Sequence, residues 1–372
     1  MNTADFHQSL LELACAIQQV PAPTFQEGPR ARYLAQRLQE EGLSRLELDA
    51  AGNLLACIPG AGRRPLVVSA HLDTVHAGLE HPPLKKGKDR ITGPGIGDNA
   101  LGLAALVGLA RSIGHGPVSP PGDLWLVATV REEGLGNLDG MQAVVDRFGD
   151  QPLAYLVLEG IGLRNVFHRG LGVERYRITV QTAGGHPWLD HHQPSAIHEL
   201  AALVTHLAAI PLPVSPRTTL NVGTIRGGTT INTIAAEATI DVDLRSESNT
   251  LLQGLAEQVQ NLAQAIQRPG VKTTLELIGR RPAGEIPADH PLVLLVKDCL
   301  QRVGAQPILG IASTDANIPL SRGLPAICIG LTSGNHAHTG QEYIDTHPFK
   351  AGFQMLSDLV EHIWEQIPDS PG

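Results

Sequence analysis

The stretch DLWLVATVREEGLGN, residues 123–137, joins an apolar run to two adjacent acids, Glu132 and Glu133. The run predicts a buried strand, and Gly134 and Gly136 mark the loop that follows it. Two carboxylates at the end of a buried strand lose hydration and repel each other, so the pKa of at least one should rise unless a cation lies between them. A metal ion bound by one acid, with the other acid moving protons, meets this requirement. A solvated acidic loop is the simpler alternative.

The composition predicts a globular protein of two domains. The chain has 372 residues, of which 42% are hydrophobic and 17% charged, so it is too long for one ordinary domain and too apolar for disorder. A formal net charge of −9 argues against non-specific binding to nucleic acid, which needs a basic surface. The four cysteines have no CxxC spacing, so they predict neither a disulfide scaffold nor a thiolate zinc site.

The first residues, MNTADFHQSLLELACAIQ, carry acids and polar side chains where a signal peptide needs basic and then apolar ones. The longest run of small apolar residues, 101–110, is too short to span a bilayer. Both features predict a cytoplasmic protein without a membrane partner.

Helices and strands alternate through the first 160 residues, which predicts a mostly parallel sheet flanked by helices. The expected helices cover residues 4–20, 26–42, 100–113 and 139–148. The expected strands cover residues 54–58, 66–70, 124–130 and the segment LAYLVLEG. Ligands gather at the carboxyl ends of the strands in such sheets. His71, Glu132 and Glu159 each follow an apolar run, as this rule requires.

From about residue 172 the pattern changes to half-exposed strands separated by helices at 195–209 and 250–267. The order β-α-β-β-α-β is that of a ferredoxin-like sandwich, and it ends at the linker RRPAGEIP. A helix at 290–303 and the buried strand PAICIGL then resume the first pattern. The predicted fold class is therefore α/β with an inserted domain. Its parts are a catalytic domain formed by residues 1–171 and 284–372 and an insertion formed by residues 172–283.

Two loops offer further metal ligands. His71 and Asp73 are two apart in HLDTV, so they share a face if the strand continues, and Asp73 could accept the second ring N–H of His71. Asp98 follows GPGIG, where Gly95 and Gly97 let the backbone come close and turn the acid inward. A carboxylate placed in this way can bind two cations at once.

The remaining pieces complete a dinuclear site. Glu133 and Glu159 could each close one side, and GNHAHTGQEY near the C-terminus offers His336 and His338. Nitrogen and oxygen ligands without thiolate suit zinc, with cobalt or manganese as substitutes. Glu132, beside a ligand, would then be the general base that takes a proton from a bridging water.

Each piece also has a simpler interpretation. A lone His71 or His338 is more often a surface or hydrogen-bonded histidine, and Asp98 alone would most often cap a helix. GIGDNA also fits the dinucleotide fingerprint, but no clear strand precedes it and its aspartate would face the pyrophosphate. Five metal-compatible pieces at matching strand ends favour the metal site.

The segments SAHLDTV, GPGIGDNALG, VREEG, LVLEG and HTGQEY, in this order, resemble the M20 family of dinuclear zinc peptidases and deacylases. The resemblance covers nearly the whole chain, including the inserted domain. It implies two zinc ions per subunit, with one ligand shared between them. The implied ligands are His71, Asp98 and Glu159 for one ion, and Asp98, Glu133 and His338 for the other.

The resemblance also assigns roles beside the metals. It implies Glu132 as the base and Asp73 as the residue that orients His71. It favours His338 over His336, because the ligand of the family precedes an E-Y/F pair, as in HTGQEY.

For the insertion, the resemblance implies a homodimer formed through residues 172–283. His186 of GGHPW would reach the active site of the partner and stabilise the oxyanion, the alternative being a structural loop histidine. Asn232 and Arg245 match positions that contact substrate. The Arg245 guanidinium suits a carboxylate, and a salt bridge within the domain is its alternative.

The loop ASTDANIP, residues 312–319, resembles the substrate loop of peptidase T-like members, so Asp315 and Asn317 are expected to contact substrate. Asn317 could equally cap a turn. The expected function is hydrolysis of a peptide bond in a short peptide by a peptidase T-like aminopeptidase. An N-acyl amino-acid deacylase of the acetylornithine deacetylase or desuccinylase type is the close alternative, and a non-catalytic metal-binding homologue is a remote one.

Overall fold

The computed structural model describes residues 3–114 and 119–367 and divides the chain into two units. The larger unit consists of Met1–Gly170 and Gly284–Gly372, and the smaller unit is Leu171–Ala283. The smaller unit therefore begins one residue before the predicted insertion and ends at the same residue.

The larger unit contains seven of the helices in the described residues and thirteen of the strands. Its helices are α1 Thr3–Gln18, α2 Gly28–Glu40, α3 Leu101–Gly114, α4 Asp139–Phe148, α7 Pro291–Arg302, α8 Asn317–Ser321 and α9 Phe349–Gln366. Its first strands are β1 Leu46–Leu48, β2 Leu54–Ile58, β3 Arg63–His71, β4 Lys85–Lys86, β5 Arg90–Thr92, β6 Gly122–Thr129, β7 Tyr155–Ile161 and β8 Asn165–Gly170. The later strands are β13 Gly284–Glu285, β14 Ile308–Ala312, β15 Ala326–Thr332, β16 Gly334–Asn335 and β17 Tyr343–Asp345.

The main sheet has the order β1-β2-β6-β3-β7-β15-β8-β13, with β14 paired to β8. Strands β6, β3, β7 and β15 are parallel to one another. All residues of β2 and β15 are buried, as expected for strands covered by helices on both faces. The predicted mostly parallel sheet flanked by helices is confirmed.

The stretch Ile96–Gly114 is the one segment within the described residues that has the length and hydropathy of a membrane span, and 78% of it is buried inside the fold. It consists of an irregular turn, Ile96–Ala100, followed by helix α3, whose first ten residues are all buried. A helix buried to this extent is a core helix of the larger unit.

The Gly-rich connection before α3 contains strands that are not among those expected from the sequence. It contains β4 and β5, which join β16 and β17 in a separate sheet of order β16-β17-β5-β4. The pairing partner β17 comes from the C-terminal part of the chain, so the local pattern carried no signal for these strands.

The smaller unit has the order β9-α5-β10-β11-α6-β12. Its elements are β9 Gly172–Thr182, α5 Ala196–Ala208, β10 Thr218–Gly227, β11 Glu237–Ser246, α6 Asn249–Ala265 and β12 Val271–Arg281. The antiparallel sheet has the order β10-β11-β9-β12. Buried residues alternate with more exposed ones along β9 and β11, because the apolar side of the sheet packs against the two helices in a core of its own.

Candidate metal centre

The strands bring the predicted ligands to one edge of the main sheet. His71 is the last residue of β3, Glu133 follows the end of β6, and Glu159 lies near the end of β7. These three strands are adjacent and parallel, so their carboxyl ends meet at the same edge.

Asp98 lies between the two predicted histidine ligands. Its Oδ1 is 2.9 Å from Nε2 of His71, and its Oδ2 is 3.0 Å from Nε2 of His338. Glu159 Oε2 lies 3.7 Å from Nε2 of His71, and Glu133 Oε1 lies 3.1 Å from Nε2 of His338. All five predicted ligands are thus gathered around one carboxylate, each of whose oxygens faces a different imidazole.

The loop that carries Asp98 is held by a buried acid, Glu342. Its Oε2 accepts the N–H of Gly95 at 2.8 Å, and its Oε1 accepts the N–H groups of Gly97 at 2.7 Å and Asp98 at 2.9 Å. Gly95 has φ of 76°, a conformation that favours glycine. The backbone at Asp98 is not helical, so this acid faces the histidines and does not cap α3.

Asp73 acts on the backbone of the acidic pair. The shared strand face required β3 to continue to residue 73, but the strand ends at His71. His71 Nδ1 lies 3.0 Å from the carbonyl oxygen of Asp73 and 3.6 Å from its Oδ1. The carboxylate instead accepts the N–H of Glu132 on Oδ1 and the N–H of Glu133 on Oδ2, both at 2.9 Å.

The donors fit a pair of divalent cations. Nε2 of His71 is buried and faces the carboxylates of Asp98 and Glu159, whereas Nδ1 faces a carbonyl oxygen. In the neutral ring the proton therefore belongs on Nδ1, which leaves the Nε2 lone pair for a cation. His71, Asp98 and Glu133 each offer a ligand atom within 4.8 Å of the others. The set contains nitrogen and oxygen donors without thiolate.

Burial and neighbouring charges shift the pKa values of the centre. Burial raises the pKa of Glu159 to about 7. Hydrogen bonds with Asp98 and Glu133 raise the pKa of His338 to about 10. Burial lowers the pKa of His71, but its carboxylate partners outweigh burial and raise this pKa well above the usual value. Without metal the centre therefore retains protons on its imidazoles, and binding of cations must displace them.

The predicted substrate residues of the larger unit are buried. Asp315 accepts a hydrogen bond from the Thr129 hydroxyl at 2.6 Å. Asn317 Oδ1 accepts the N–H of Thr314 at 3.0 Å, so this side chain does cap a turn. Substrate contact by either residue stays a prediction.

The predicted residues of the smaller unit are more exposed. His186 lies in a loop, where its Nδ1 accepts the N–H of Trp188 at 3.2 Å. Asn232 is also exposed. Arg245 pairs with Asp243 at 2.7 Å, which is the salt bridge considered as the alternative for this residue. The roles of all three toward substrate stay predictions.

Sequence reasoning missed several residues at this centre. Glu342 stands in the quoted segment HTGQEY, but that segment was used only for its histidine. His76 has its Nε2 4.0 Å from Glu342 Oε2, and burial lowers its pKa. Thr24 and Glu27 precede α2 and contact the loops after β3 and β6. Their segment follows no strand, so the strand-end rule gave no signal.

The profile of Peptidase family M20/M25/M40 matches residues 67–362. This match covers more than half of the chain. The protein belongs to this family. The predicted family and enzyme class are therefore confirmed, and the protein is an M20-family hydrolase.

Curated relatives of this M20 member include acetylornithine deacetylases. That of Pectobacterium atrosepticum is 27% identical over 83% of both chains, and that of Klebsiella pneumoniae is 28% identical over the same shares. The structure resembles aminopeptidase PepT from Bacillus cereus, with a TM-score of 0.78, 20% identity and coverage of 98% of this chain and 99% of the other. It also resembles a tripeptidase from Staphylococcus aureus, with a TM-score of 0.80, 19% identity and coverage of 97% and 99%.

A third solved structure, a dinuclear metal-binding M20 peptidase from Bacillus subtilis, has a TM-score of 0.70 at 15% identity and covers 98% of this chain and 100% of the other. At these identities the solved structures establish the shared fold. The gathering of two histidines and three carboxylates in this chain is in keeping with a dinuclear member.

Proposed function

We propose that this M20 member is a dinuclear zinc hydrolase that cleaves a peptide bond in a short peptide, as a peptidase T-like aminopeptidase. The observation that carries the proposal is the position of Asp98, whose two oxygens lie 2.9 and 3.0 Å from the Nε2 atoms of His71 and His338. A carboxylate shared in this way is the arrangement expected for a two-metal site.

His71, Asp98 and Glu159 would hold one ion, and Asp98, Glu133 and His338 would hold the other. Two bound divalent ions would lower the pKa of a bound water molecule toward neutrality. Glu132, whose backbone N–H is bound by Asp73, would take a proton from the attacking water as the scissile carbonyl is attacked. The same carboxyl then gives the proton to the leaving amine.

We further propose a cytoplasmic homodimer formed through the insertion. Strand β10 is an edge of the smaller sheet, and Ile225 on it is 60% exposed, which supports an interface at this edge. In the dimer, His186 would donate a hydrogen bond to the oxyanion in the partner's site, and Asn232 and Arg245 would contact substrate. Asp315 and Asn317 would complete the substrate pocket.

The deacylase alternative is favoured by the curated relatives, which are acetylornithine deacetylases at 27% and 28% identity. The segment ASTDANIP and the similarity of the fold to PepT support the aminopeptidase. Zinc-reconstituted protein should cleave a free-amino tripeptide faster than its N-acetyl analogue or an N-acetyl amino acid. The opposite preference would establish the deacylase.

The base is tested separately. Glu132→Gln should lower turnover at least about 100-fold with the metal content unchanged, because the amide cannot take the proton. Glu361→Gln, an exposed change on α9, is the control and should behave as wild type. Near-normal turnover by the Glu132→Gln variant with both metals bound would show that the base is another group.

A further inference from the structure

Three successive backbone N–H groups at the acidic pair are all bound by buried carboxylates. Glu27 Oε1 accepts the N–H of Arg131 at 3.2 Å. The two oxygens of Asp73 accept the next two N–H groups, those of Glu132 and Glu133, at 2.9 Å each. Both accepting acids are buried. The backbone that presents the proposed base is therefore held at every residue by side chains from elsewhere in the fold.

Glu27 also holds a second irregular turn. Its Oε1 accepts the N–H of Phe25 at 2.9 Å as well as that of Arg131. Both donors have the left-handed backbone that disfavours residues with a side chain, with φ of 76° at Phe25 and 59° at Arg131. Non-glycine residues keep this conformation only where the surroundings determine it, and here one carboxylate oxygen binds both turns.

Thr24 connects the same segment to Asp73. Its hydroxyl donates to Asp73 Oδ2 at 2.8 Å, and its N–H donates to the carbonyl of Thr74 at 3.3 Å. Buried Arg30 donates from Nη1 to the carbonyl of Leu72 at 2.7 Å. Residues 24–30 thus contact the loop after β3 and the loop after β6. These hydrogen bonds do not involve the side-chain atoms proposed to bind metal.

We infer that residues 24–30 position the catalytic base, with Glu27 and Thr24 as positioning residues for Glu132. This inference rests on the proposed function, in which Glu132 moves the proton. The Thr24 hydroxyl fixes the rotation of the Asp73 carboxylate, and Glu27 fixes the turn at Arg131. Together they determine where the Glu132 side chain leaves the backbone.

The two positioning contacts should affect the proton-transfer step more than substrate or metal binding. A general base works only within hydrogen-bond reach of its proton, so a small shift of its backbone lowers kcat. Neither Thr24 nor Glu27 is among the proposed ligands or substrate contacts. Removal of the Thr24 hydroxyl or of the Glu27 carboxylate should therefore leave KM and zinc content nearly unchanged.

Matched pairs of variants test each contact. Glu27→Gln keeps an acceptor oxygen, whereas Glu27→Met removes it at similar size. Thr24→Ser keeps the hydroxyl, whereas Thr24→Val removes it. In zinc-reconstituted enzyme with a tripeptide substrate, Glu27→Met and Thr24→Val should lower kcat about 10-fold or more. Their KM should stay within about twofold of wild type, their zinc content should equal that of wild type, and the Gln and Ser variants should recover most of kcat.

The control is Thr218→Val, which removes another buried hydroxyl, one that lies 2.9 Å from Ser246 in the smaller unit. It should leave kcat unchanged. If Glu27→Met does not fold, the Thr24→Val and Thr24→Ser pair decides the question. Loss of zinc or a raised KM with normal kcat in the Thr24→Val variant would overturn the positioning role.

Glu132→Gln, measured in parallel, separates the two proposals. If Glu132→Gln is inactive while Glu27→Met and Thr24→Val have normal kcat, residues 24–30 do not position the base, but the proposed function stands. If Glu132→Gln is active, the assignment of the base is wrong and the inference falls with it.

Discussion

At the scale of single residues, two buried acids hold the backbone of the loops that form the centre. Glu342 accepts three backbone N–H groups with its two oxygens, and Asp73 accepts two more with its own. Backbone donors in a buried loop need acceptors, because an unsatisfied N–H costs free energy when water cannot reach it. These two acids thereby fix the loops that carry Asp98 and Glu132.

Glu342→Gln should destabilise the protein by about 1–3 kcal/mol, because the new amide N–H₂ would face backbone N–H groups in place of an acceptor oxygen. The loop at Asp98 should also bind zinc less tightly. Urea unfolding with and without chelator measures the first effect, and metal titration measures the second. Glu361→Gln is the exposed control, and equal results for both variants would contradict the role of Glu342.

Zinc binding should release protons and strengthen with pH. His338 has a pKa of about 10 and His71 a pKa well above its usual value, so both imidazoles carry protons at pH 7 in the metal-free protein. A ligand imidazole must be neutral, so each binding event displaces a proton. Calorimetry in buffers of different ionisation enthalpy should detect release of at least about one proton per chain.

The same pKa shifts set the stability of the metal-free protein. A raised imidazole pKa stabilises the fold fully below the unfolded value of 6.5, and this contribution is lost as pH rises through about 10 for His338. Zinc affinity that is constant from pH 6 to 8, with no proton release, would show that the histidines are neutral before metal binds.

At the scale of elements, the strands of the main sheet that were predicted from the sequence have partners on both sides. Apolar runs identified β3, β6 and β7 because strands that are buried on both faces have apolar residues at nearly every position. Strands β4 and β5 pair at the surface with a distant segment, so most of their residues are exposed and they contain no apolar run.

The close approach of β7 to the turn before α3 predicts a strong effect of one methyl group. A Cβ on Gly160 would overlap the carbonyl oxygen of Gly97, so Gly160→Ala should destabilise the protein by about 1–3 kcal/mol and disturb the metal loop. Gly254→Ala is the matched control within α6, where nothing lies within 4 Å of the new Cβ. It should stabilise by up to about 1 kcal/mol, as measured by urea unfolding.

If Gly160→Ala and Gly254→Ala give the same unfolding midpoint, the packing of β7 against the metal loop is looser than described. The contrast is informative because both changes add the same atom. Only the space around the two Cβ positions differs.

At the scale of the whole molecule, the sequence singled out five residues that the structure gathers at one place, but it did not predict the residues that support them. His71 and Glu159 follow apolar runs and Asp98 follows glycines, which are patterns that the sequence shows directly. Glu27 and Glu342 accept backbone N–H groups, which every sequence contains, so no residue pattern marks them. His71 and Asp73 do not share a strand face, because β3 ends at His71 and Asp73 lies in the loop after it.

The proposed dimer makes one prediction at this scale. Glu132→Ala and His186→Ala subunits should each be nearly inactive alone, and mixing them should restore up to about a quarter of wild-type activity if His186 acts in the partner's site. In the mixed dimer one site holds both the base and the histidine. Denaturation and co-refolding followed by the tripeptide assay measures this recovery. Activity that does not rise above the separate subunits would place His186 outside the partner's site.

The two segments of the larger unit pair with each other where the insertion begins and ends. Gly170 of β8 and Gly284 of β13 are direct partners in an antiparallel pair. Directly opposed residues of such a pair lie about 5 Å apart, close enough for a two-residue hairpin turn to join them. The insertion Leu171–Ala283 thus takes the place of the turn between two paired strands. Its replacement by the insertion of a relative would leave the ends of β8 and β13 in position.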